Sequence, residues 1–289
     1  MSFIHYRITL KLLSPLHIGK RKYRNLMETR DYVPGRTLWG ALTARIVRDY
    51  FDGRKDMYEK IGNFLNKNFR FGYLWPSLDG EAPYFPWEHE DFDYLFKSGY
   101  MGQPIDYTRG ATDEGQLHEA EFIAPKARDG SQVYLVGDLW VRNSFLENEK
   151  PLIDGKAITL EEDVFNSLQL GGERNYGWGR VKCDALKSHN DDALGGIKIE
   201  STKSEVILKF PANSRLTAHA LAASWEGKSS IPEDYLHGEI EPLTGYSWKK
   251  SDEKEGWHLS TPPICFIPGS LVREKLKVQI GQFGIFASK

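Results

Sequence analysis

The amino-acid sequence predicts an α+β fold made of two related units, of which the second is degenerate. Residues 4–12 alternate apolar and polar side chains at a period of two, which is typical of a strand with one buried face. Leu38, Leu42, Ile46 and Tyr50 then recur at intervals of four, which indicates a helix with one apolar face. A strand followed by a helix is therefore the expected start of the first unit.

A second copy of this start is indicated late in the chain. Residues 266–271 (FIPGSL) have the same aromatic–aliphatic–Pro–Gly order as residues 32–37 (YVPGRT). The Gly-Trp-Gly sequence at 177–179 is echoed more faintly by residues 281–284 (GQFG). Two copies of one design also suit a chain of 289 residues, which is long enough for one large domain or two small ones.

The segment between the first strand and the middle of the chain holds a loop, a turn and an insertion. A basic loop runs from Gly19 to Asp31, and Pro34-Gly35 marks a turn before the helix. Residues 64–145 are crowded with aromatic residues and prolines, which indicates an irregular insertion with short strands. The clearest of these strands is predicted at 133–141.

The following segment closes the first unit and leads to the second. Thr159 and Glu162 have capping-box spacing, which predicts a short helix that continues to Leu168. Strands are predicted at 181–186 and 206–210. Residues 188–196 are polar and glycine-rich and predict a linker, so we expect an N-terminal domain at 1–187 and a C-terminal domain at 196–289.

The composition excludes several classes of protein and points to one surface. No apolar run approaches the roughly 20 residues of a membrane span, and two cysteines are too few for a disulfide framework, so we expect a cytoplasmic protein without a membrane partner. The formal net charge is −2. Residues 1–72, however, hold 15 Lys and Arg against 6 Asp and Glu, while the rest holds 23 against 34, so the two parts carry +9 and −11. The basic part favours an anionic partner.

The strongest local signal is the glycine-rich loop at 171–180. Its four glycines allow positive φ angles and close backbone approach. Cationic, amide and aromatic side chains alternate with them, a mixture that suits single-stranded nucleic acid, although a hairpin that only packs on its own sheet is an equally good interpretation. The candidate RNA-binding residues here are Gly171, Gly172, Arg174, Asn175, Tyr176, Trp178 and Arg180.

The basic loop is the second candidate binding region. Each cation that neutralises a phosphate releases counterions, so this loop could supply much of a sequence-independent affinity for RNA. The alternative is an exposed loop without a partner. Its candidate residues are Lys20, Arg21, Lys22, Arg24, Arg30 and Arg36.

Catalytic signals are weak. His17 could act as a general acid or base, and Asp31 could orient a 2′-hydroxyl group, but a structural role is the commoner one for each residue. The Glu-His-Glu-Asp run at 88–91 lacks the HExxH spacing of a zinc site. We therefore expect no metal, no cofactor and no active site.

Three motifs, taken together, carry a family resemblance. Residues 14–19 (SPLHIG), residues 32–42 (YVPGRTLWGAL) and residues 171–181 (GGERNYGWGRV) occur in an order that resembles the RAMP superfamily of CRISPR-associated proteins. The resemblance implies tandem ferredoxin-like (RRM-type) βαββαβ domains with a glycine-rich loop, here with a degenerate second copy and an insertion. It also implies binding of CRISPR guide RNA.

The resemblance also implies a role within the superfamily. The mid-chain glycine-rich loop and the degenerate unit after it resemble the subunits that cap the 5′ handle of the guide RNA in type III effector complexes, next to backbone RAMP subunits and a large subunit. Two catalytic roles stay open: a backbone subunit that cleaves target RNA through Asp31, and an endoribonuclease that processes the guide through His17. A scaffold whose acidic C-terminal part docks protein neighbours is a further alternative.

Overall fold

The computed structural model describes residues 3–102, 105–106, 108, 111–112, 118–142, 150–158, 162–189, 192–201, 205–250, 255–259 and 261–289. Within them the protein has an α+β fold, with many strands and few helices. The three α-helices of these residues all belong to the first half of the chain: α1 is Gly35–Phe51, α2 is Met57–Asn68 and α3 is Phe92–Phe96.

The first half is organised around one antiparallel sheet. Its central strand, Phe3–Leu12, pairs with Tyr134–Arg142 on one side and with Arg180–Ser188 on the other. Phe69–Phe71 and Trp75–Ser77 extend the first side, and Leu168–Gln169 extends the second. These pairings confirm the strands predicted at 4–12, 133–141 and 181–186.

Helix α1 covers one face of this sheet. Leu38, Leu42 and Ile46 are buried against it, as their spacing of four predicts. Pro34 precedes the first turn with an extended backbone, and Asp52 ends the helix in the left-handed conformation. The Pro-Gly turn and the helix after it are therefore confirmed.

The basic loop is a β-hairpin, so the prediction of an open loop was wrong. Gly19–Tyr23 pairs with Leu26–Thr29, and His118–Ile123 and Lys97–Gly102 complete a sheet of four strands. All five residues of Gly19–Tyr23 are exposed, so this strand has no apolar alternation to reveal it. Lysines and arginines on such an edge strand discourage pairing with other chains.

The expected helix after Thr159 was also wrong. Thr159 lies outside the described residues, and Glu162–Phe165 forms one 3₁₀ turn. Leu168 already belongs to a strand. Leu168, where the helix was expected to end, pairs instead with Val181.

The second half is dominated by an eight-stranded sheet. Its described residues form 3₁₀ turns but no α-helix, and Pro268-Gly269 leads from strand Ile264–Phe266 to strand Leu271–Val272. The strand predicted at 206–210 is confirmed. In spatial order the sheet contains Asp192–Ala193, Ile197–Ser201, Val206–Phe210, Leu276–Ile280, Phe286–Ser288, Ala220–Leu221, Ile264–Phe266 and Ile240–Pro242.

Short strand pairs complete the secondary structure of the described residues. These are Leu152–Ile153 with Lys156–Ala157, Leu236–His237 with Leu271–Val272, Tyr246–Lys250 with Glu255–Leu259, and Ile105–Asp106 with Ala111–Thr112.

The two halves share a hydrophobic core. The face of the first sheet that α1 leaves open carries Trp75 and Trp140, which are buried in one cluster with Leu208 and Phe210 of the second half. Burying large aromatic rings contributes strongly to such a contact. The halves are therefore held together by packing as well as by the chain.

The stretch predicted as a linker takes part in this contact. Ala193 and Leu194 are buried, and the Leu194 N–H donates to the Asp138 carboxylate at 2.7 Å. The polar, glycine-rich composition hid these apolar side chains. Ala193 and Leu194 therefore belong to the shared core, while Gly195 and Gly196 next to them are exposed.

Candidate nucleic-acid interface

A cleft of about 1330 Å³ lies between the two halves. One wall belongs to the first half and is formed by α1, α2, the start of the hairpin and the glycine-rich loop. The other wall belongs to the second half. Residues that line the cleft include Lys20, Arg30, Arg36, Trp39, Asn63, Asn66, Gly171, Gly172, Arg174, Trp225, Glu241, Tyr246 and Phe283.

The glycine-rich loop is fixed against the end of the first strand. Gly171 has φ +74°, and a Cβ there would lie 2.2 Å from the carbonyl oxygen of His17. Gly179 has φ +76°, and a Cβ there would lie 1.8 Å from the carbonyl oxygen of Leu170. Its N–H donates to the carbonyl of Pro15 at 2.6 Å. Two of the three sequence motifs are therefore parts of one packed unit, and glycine is required at both positions.

The side chains of this loop point to different places. Arg174, Asn175 and Tyr176 form one 3₁₀ turn and are exposed, Tyr176 by 74%, and Arg174 lines the cleft. Trp178 instead packs edge-on against Phe122, with ring centroids 5.1 Å apart. Tyr176 is thus the accessible ring of the loop, while Trp178 packs against the neighbouring sheet.

The cations of the basic segment also lie in two different places, the cleft and the exposed hairpin. Lys20 and Arg36 line the cleft. Arg21 is paired with Glu28 at 2.7 Å on the exposed hairpin, where Lys22 and Arg24 are also exposed. Of the remaining predicted residues, Asn175 and Arg180 are exposed but are not part of the cleft lining.

Arg30 is buried at the boundary between the halves. Its guanidinium donates two hydrogen bonds to the Glu241 carboxylate, at 2.5 and 3.1 Å, and one to the Tyr32 hydroxyl at 3.0 Å. Burial alone would lower the pKa of Arg30, but the paired carboxylate raises it above its usual value. Arg30 therefore stays charged and is engaged by the second half.

Glu241 is the centre of a partly buried hydrogen-bond network. Burial would raise the pKa of Glu241, but hydrogen bonds from His219 and Arg30 outweigh it and lower the pKa to about 2. Burial lowers the pKa of His219. A neutral His219 can donate from Nε2 to Glu241 and accept at Nδ1 from the Tyr73 hydroxyl, both at 2.7 Å. We call this contact between the two halves the Arg30–Glu241 joint. Sequence analysis did not predict it, because no sequence motif or spacing links Glu241 to Arg30.

The two candidate catalytic residues are both held by neighbours. His17 is 7% exposed, and its Nδ1 lies 2.7 Å from the carbonyl oxygen of Glu121. The Asp31 carboxylate is paired with Lys97 at 2.7 Å. The part of the chain that the structure describes contains no cluster of three or more His, Cys, Asp or Glu side chains placed to hold a metal ion.

The second wall contributes aromatic rings that sequence reasoning did not single out. The Arg36 guanidinium lies 4.8 Å from the ring centroid of Phe283, and its Nη2 donates to the Tyr246 carbonyl at 3.4 Å. Trp39 meets Phe283 edge-on at 4.9 Å. The echo at 281–284 was a signal for Phe283, but nothing in the sequence indicated which residues it would contact.

Comparison with known proteins agrees with the motifs. A sequence profile of the RAMP superfamily matches residues 9–182, which is more than half of the chain, and the protein belongs to this superfamily. No curated protein sequence matches the chain. Among the described residues, no helix is long and apolar enough to cross a membrane.

Solved structures share the fold at low sequence identity. A chain of the type III-B Cmr-beta complex, solved by cryo-EM with cognate target RNA and AMPPnP, is 14% identical with a TM-score of 0.52. The match covers 93% of this protein and 86% of that chain. A second structure of Cmr-beta with cognate target RNA gives the same identity and coverage and a TM-score of 0.51.

Proposed function

We propose that the protein is a guide-RNA-binding subunit of a type III CRISPR effector complex and that it caps the 5′ handle of the guide. The observation that carries this proposal is the cleft, where residues of all three RAMP motifs meet. The similar chains belong to complexes solved with target RNA, which supports the same setting for this protein.

The shape and lining of the cleft suit a single-stranded RNA. Its volume of about 1330 Å³ exceeds the roughly 300–1,000 Å³ of most small-molecule sites, so it has room for several nucleotides. Lys20, Arg36 and Arg174 place positive charge along it for phosphates. Tyr176 stands beside it as a stacking surface for a base.

The proposed architecture is a ferredoxin-like first unit with a degenerate second copy. Its support is the antiparallel strand order Arg180–Ser188, Phe3–Leu12, Tyr134–Arg142, Phe69–Phe71, with α1 and α2 between the first and second strands in sequence. This is the order expected of a βαββαβ unit. Domain boundaries at 187 and 196, and the assignment of the second half, remain part of the proposal.

The partners we propose are the guide RNA, backbone RAMP subunits and the large subunit. The acidic excess of the residues after 72 would face protein neighbours while the cleft faces RNA. Asp31 is paired with Lys97 and His17 is buried. These contacts count against target cleavage through Asp31 and guide processing through His17.

A charge-matched pair of variants tests RNA binding. We expect the Lys20→Ala/Arg174→Ala protein to bind guide RNA more weakly, and its plot of log affinity against log salt concentration to be shallower by about 1.4, or about 0.7 per lost phosphate contact. Lys182→Ala/Lys187→Ala removes the same charge from exposed positions of strand Arg180–Ser188, outside the cleft lining, and serves as the control. The affinity can be measured by fluorescence anisotropy across a salt series.

Two results would contradict this function. Equal affinities and equal salt-dependence slopes for both double variants would show that the cleft is not the RNA site. Metal-independent cleavage of a repeat-containing RNA, abolished by His17→Ala, would establish the processing enzyme instead.

A further inference from the structure

Two arginines lie close together at one end of the first sheet. Arg70 belongs to strand Phe69–Phe71 and is opposite Trp140 on the neighbouring strand. Arg142 follows Trp140 by two residues, so both arginines lie on the face of the sheet that carries Trp140. We define Arg70 and Arg142 as the arginine pair; both residues lie outside the three RAMP motifs.

One aromatic ring contacts both guanidinium groups. Phe3 is opposite Arg142 on the central strand and is buried. The guanidinium carbon of Arg70 lies 5.1 Å from the centroid of the Phe3 ring, and that of Arg142 lies 5.2 Å from it. Cations at such distances are attracted to the ring. Because they share one ring, the two positive charges are held near each other.

The described residues supply no acidic partner for this pair. Both side chains are half-buried, and no described carboxylate forms an ion pair with either of them. Burial and the nearby positive charge of Arg142 lower the pKa of Arg70. Charges that are partly removed from water are normally paired, so the arrangement favours an anion at this place.

The existing hydrogen bonds leave donors for such an anion. Arg70 uses Nη1 to bind the backbone carbonyls of Asn66 and Phe69, both at 2.7 Å. A guanidinium has five N–H donors, so Arg70 keeps others, and carbonyl oxygens carry too little charge to neutralise it. The Nε of Arg142 is buried, so its two Nη nitrogens are the groups that could contact a ligand.

The arginine pair lies at one end of the cleft. Tyr58, Gly62 and Asn66 recur at intervals of four along α2 and line the cleft. Asn66 is the last residue of α2 in this lining, and its carbonyl accepts a hydrogen bond from Arg70. An RNA strand that leaves the cleft at the end of α2 would therefore pass close to the pair.

We propose that the arginine pair binds a phosphate group, and that this group belongs to the RNA strand where it leaves the cleft. Neighbouring guanidinium groups present paired N–H donors that match the geometry of phosphate oxygens. The source of the phosphate rests on the proposed function. The site itself depends only on the two arginines and the Phe3 ring.

Inorganic phosphate tests the site itself. The substitution is Arg142→Gln, because Arg70 also binds the end of α2, and it is made in the Lys20→Ala/Arg174→Ala protein to exclude phosphate bound by the cleft cations. Arg128→Gln in the same protein is the matched control, since Arg128 also lies over a ring, 5.6 Å from the centroid of Tyr94, but is exposed. The dissociation constant of phosphate is obtained from the rise of the thermal midpoint at constant ionic strength. We expect it to be higher by about tenfold or more for Arg142→Gln than for Arg128→Gln.

RNA strands of increasing length test the source of the phosphate. The strands are lengthened one nucleotide at a time and bound to proteins that keep Lys20 and Arg174. For strands long enough to reach the pair, Arg142→Gln should make the plot of log affinity against log salt concentration shallower by about 0.7, the value for one lost phosphate contact. Shorter strands should bind Arg142→Gln as they bind wild type, and Arg128→Gln should match wild type at every length.

The outcomes separate this inference from the function on which it rests. Equal phosphate affinities for Arg142→Gln and Arg128→Gln would overturn the site and leave RNA binding in the cleft untouched. A loss of phosphate affinity without an effect on RNA of any length would overturn the RNA as its source. If Lys20→Ala/Arg174→Ala binds RNA as tightly as wild type, the proposed function falls, while the phosphate titration still decides the site.

Thermal unfolding without phosphate checks that Arg142→Gln is folded. If it is not, Arg142→Lys replaces it, because lysine keeps the charge near the Phe3 ring but loses the planar pair of donors. This variant should lose phosphate affinity in the same direction by a smaller factor, and an unchanged affinity would overturn the site.

Discussion

The two walls of the cleft are built from different chemistry. The first-half wall carries cations, Lys20 and Arg174, on a loop whose glycines are packed against the end of the first strand. The second-half wall carries the rings of Trp225 and Phe283 together with the acidic Glu241. Under the proposed function, the first wall would attract phosphates and the second would contact bases. The walls keep their places through close backbone packing on one side and the Arg30–Glu241 joint between them.

The largest effect is expected from a substitution that breaks the first wall. In Gly179→Ala the new Cβ would lie 1.8 Å from the carbonyl oxygen of Leu170, so the backbone must move, and we expect a loss of roughly 4 kcal/mol or more of unfolding free energy. Gly177→Ala is the matched control, because Gly177 also has a positive φ but no atom within 4 Å of its Cβ position. It should cost about 1–2 kcal/mol. Urea unfolding of both variants provides the measurement.

This pair also checks whether contact or conformation fixes the loop. Equal losses for Gly177→Ala and Gly179→Ala would mean that positive φ alone matters and that the packing of the loop on the strand end contributes nothing.

A smaller effect is expected from opening the joint between the walls. Glu241→Gln keeps the shape of the side chain but leaves the buried Arg30 without its counter-charge, and we expect a loss of about 2–3 kcal/mol, because Glu241 is partly exposed. Glu28→Gln, which removes the partner of the exposed Arg21, should leave the urea midpoint unchanged. If Glu28→Gln destabilises the protein as much as Glu241→Gln, burial does not determine how much the Arg30–Glu241 joint contributes to stability.

The smallest effect is a pH dependence of the same joint. His219 faces Glu241, Arg30, Tyr32 and Tyr73, and burial lowers its pKa below the usual 6.5. The unfolded chain therefore binds more protons below pH 6.5, and the stability from a neutral His219 is complete above pH 6.5 and declines as the pH falls. Glu241 adds a further loss between pH 4.5 and about 2.

Urea midpoints measured between pH 8 and pH 5 test this sign. The midpoint should fall with pH in the wild-type protein and fall less in His219→Gln, which cannot take up the proton. A fall of the same size in both proteins would assign the pH dependence to groups outside the joint.

The sequence predicts those parts of the two walls that short local patterns specify. It does not predict the parts that depend on contacts between distant residues. The helix at Leu38–Ile46, the first strand and the RAMP motifs are local patterns, and each is confirmed. The hairpin Gly19–Tyr23 was missed because an edge strand covered with cations has no apolar period. Arg30 could be read as a cation, but its partner Glu241 lies in the other half of the chain, and no spacing reveals such a pair.

The same limit applies to the candidate site. Lys20, Arg36, Gly171 and Arg174 were predicted and line the cleft together, since short motifs place them. Trp225 and Tyr246 have no motif around them. Trp225 lies after strand Ala220–Leu221 and Tyr246 begins the separate strand pair Tyr246–Lys250 with Glu255–Leu259, and both reach the cleft through tertiary packing. Residues of this kind can be found only once the tertiary structure is known.

The contact between Gly35 and Phe283 joins a segment that is synthesised early to one that is synthesised near the end. A ribosome releases helix α1 early, with the space beside Gly35 still empty, and the loop that fills it emerges only after almost all of the second half has been made. Contacts between such distant parts of a chain form slowly. The cationic wall can thus be in place while Phe283, which packs on Trp39, is still missing, so the cleft is complete only when the last part of the second half has been made.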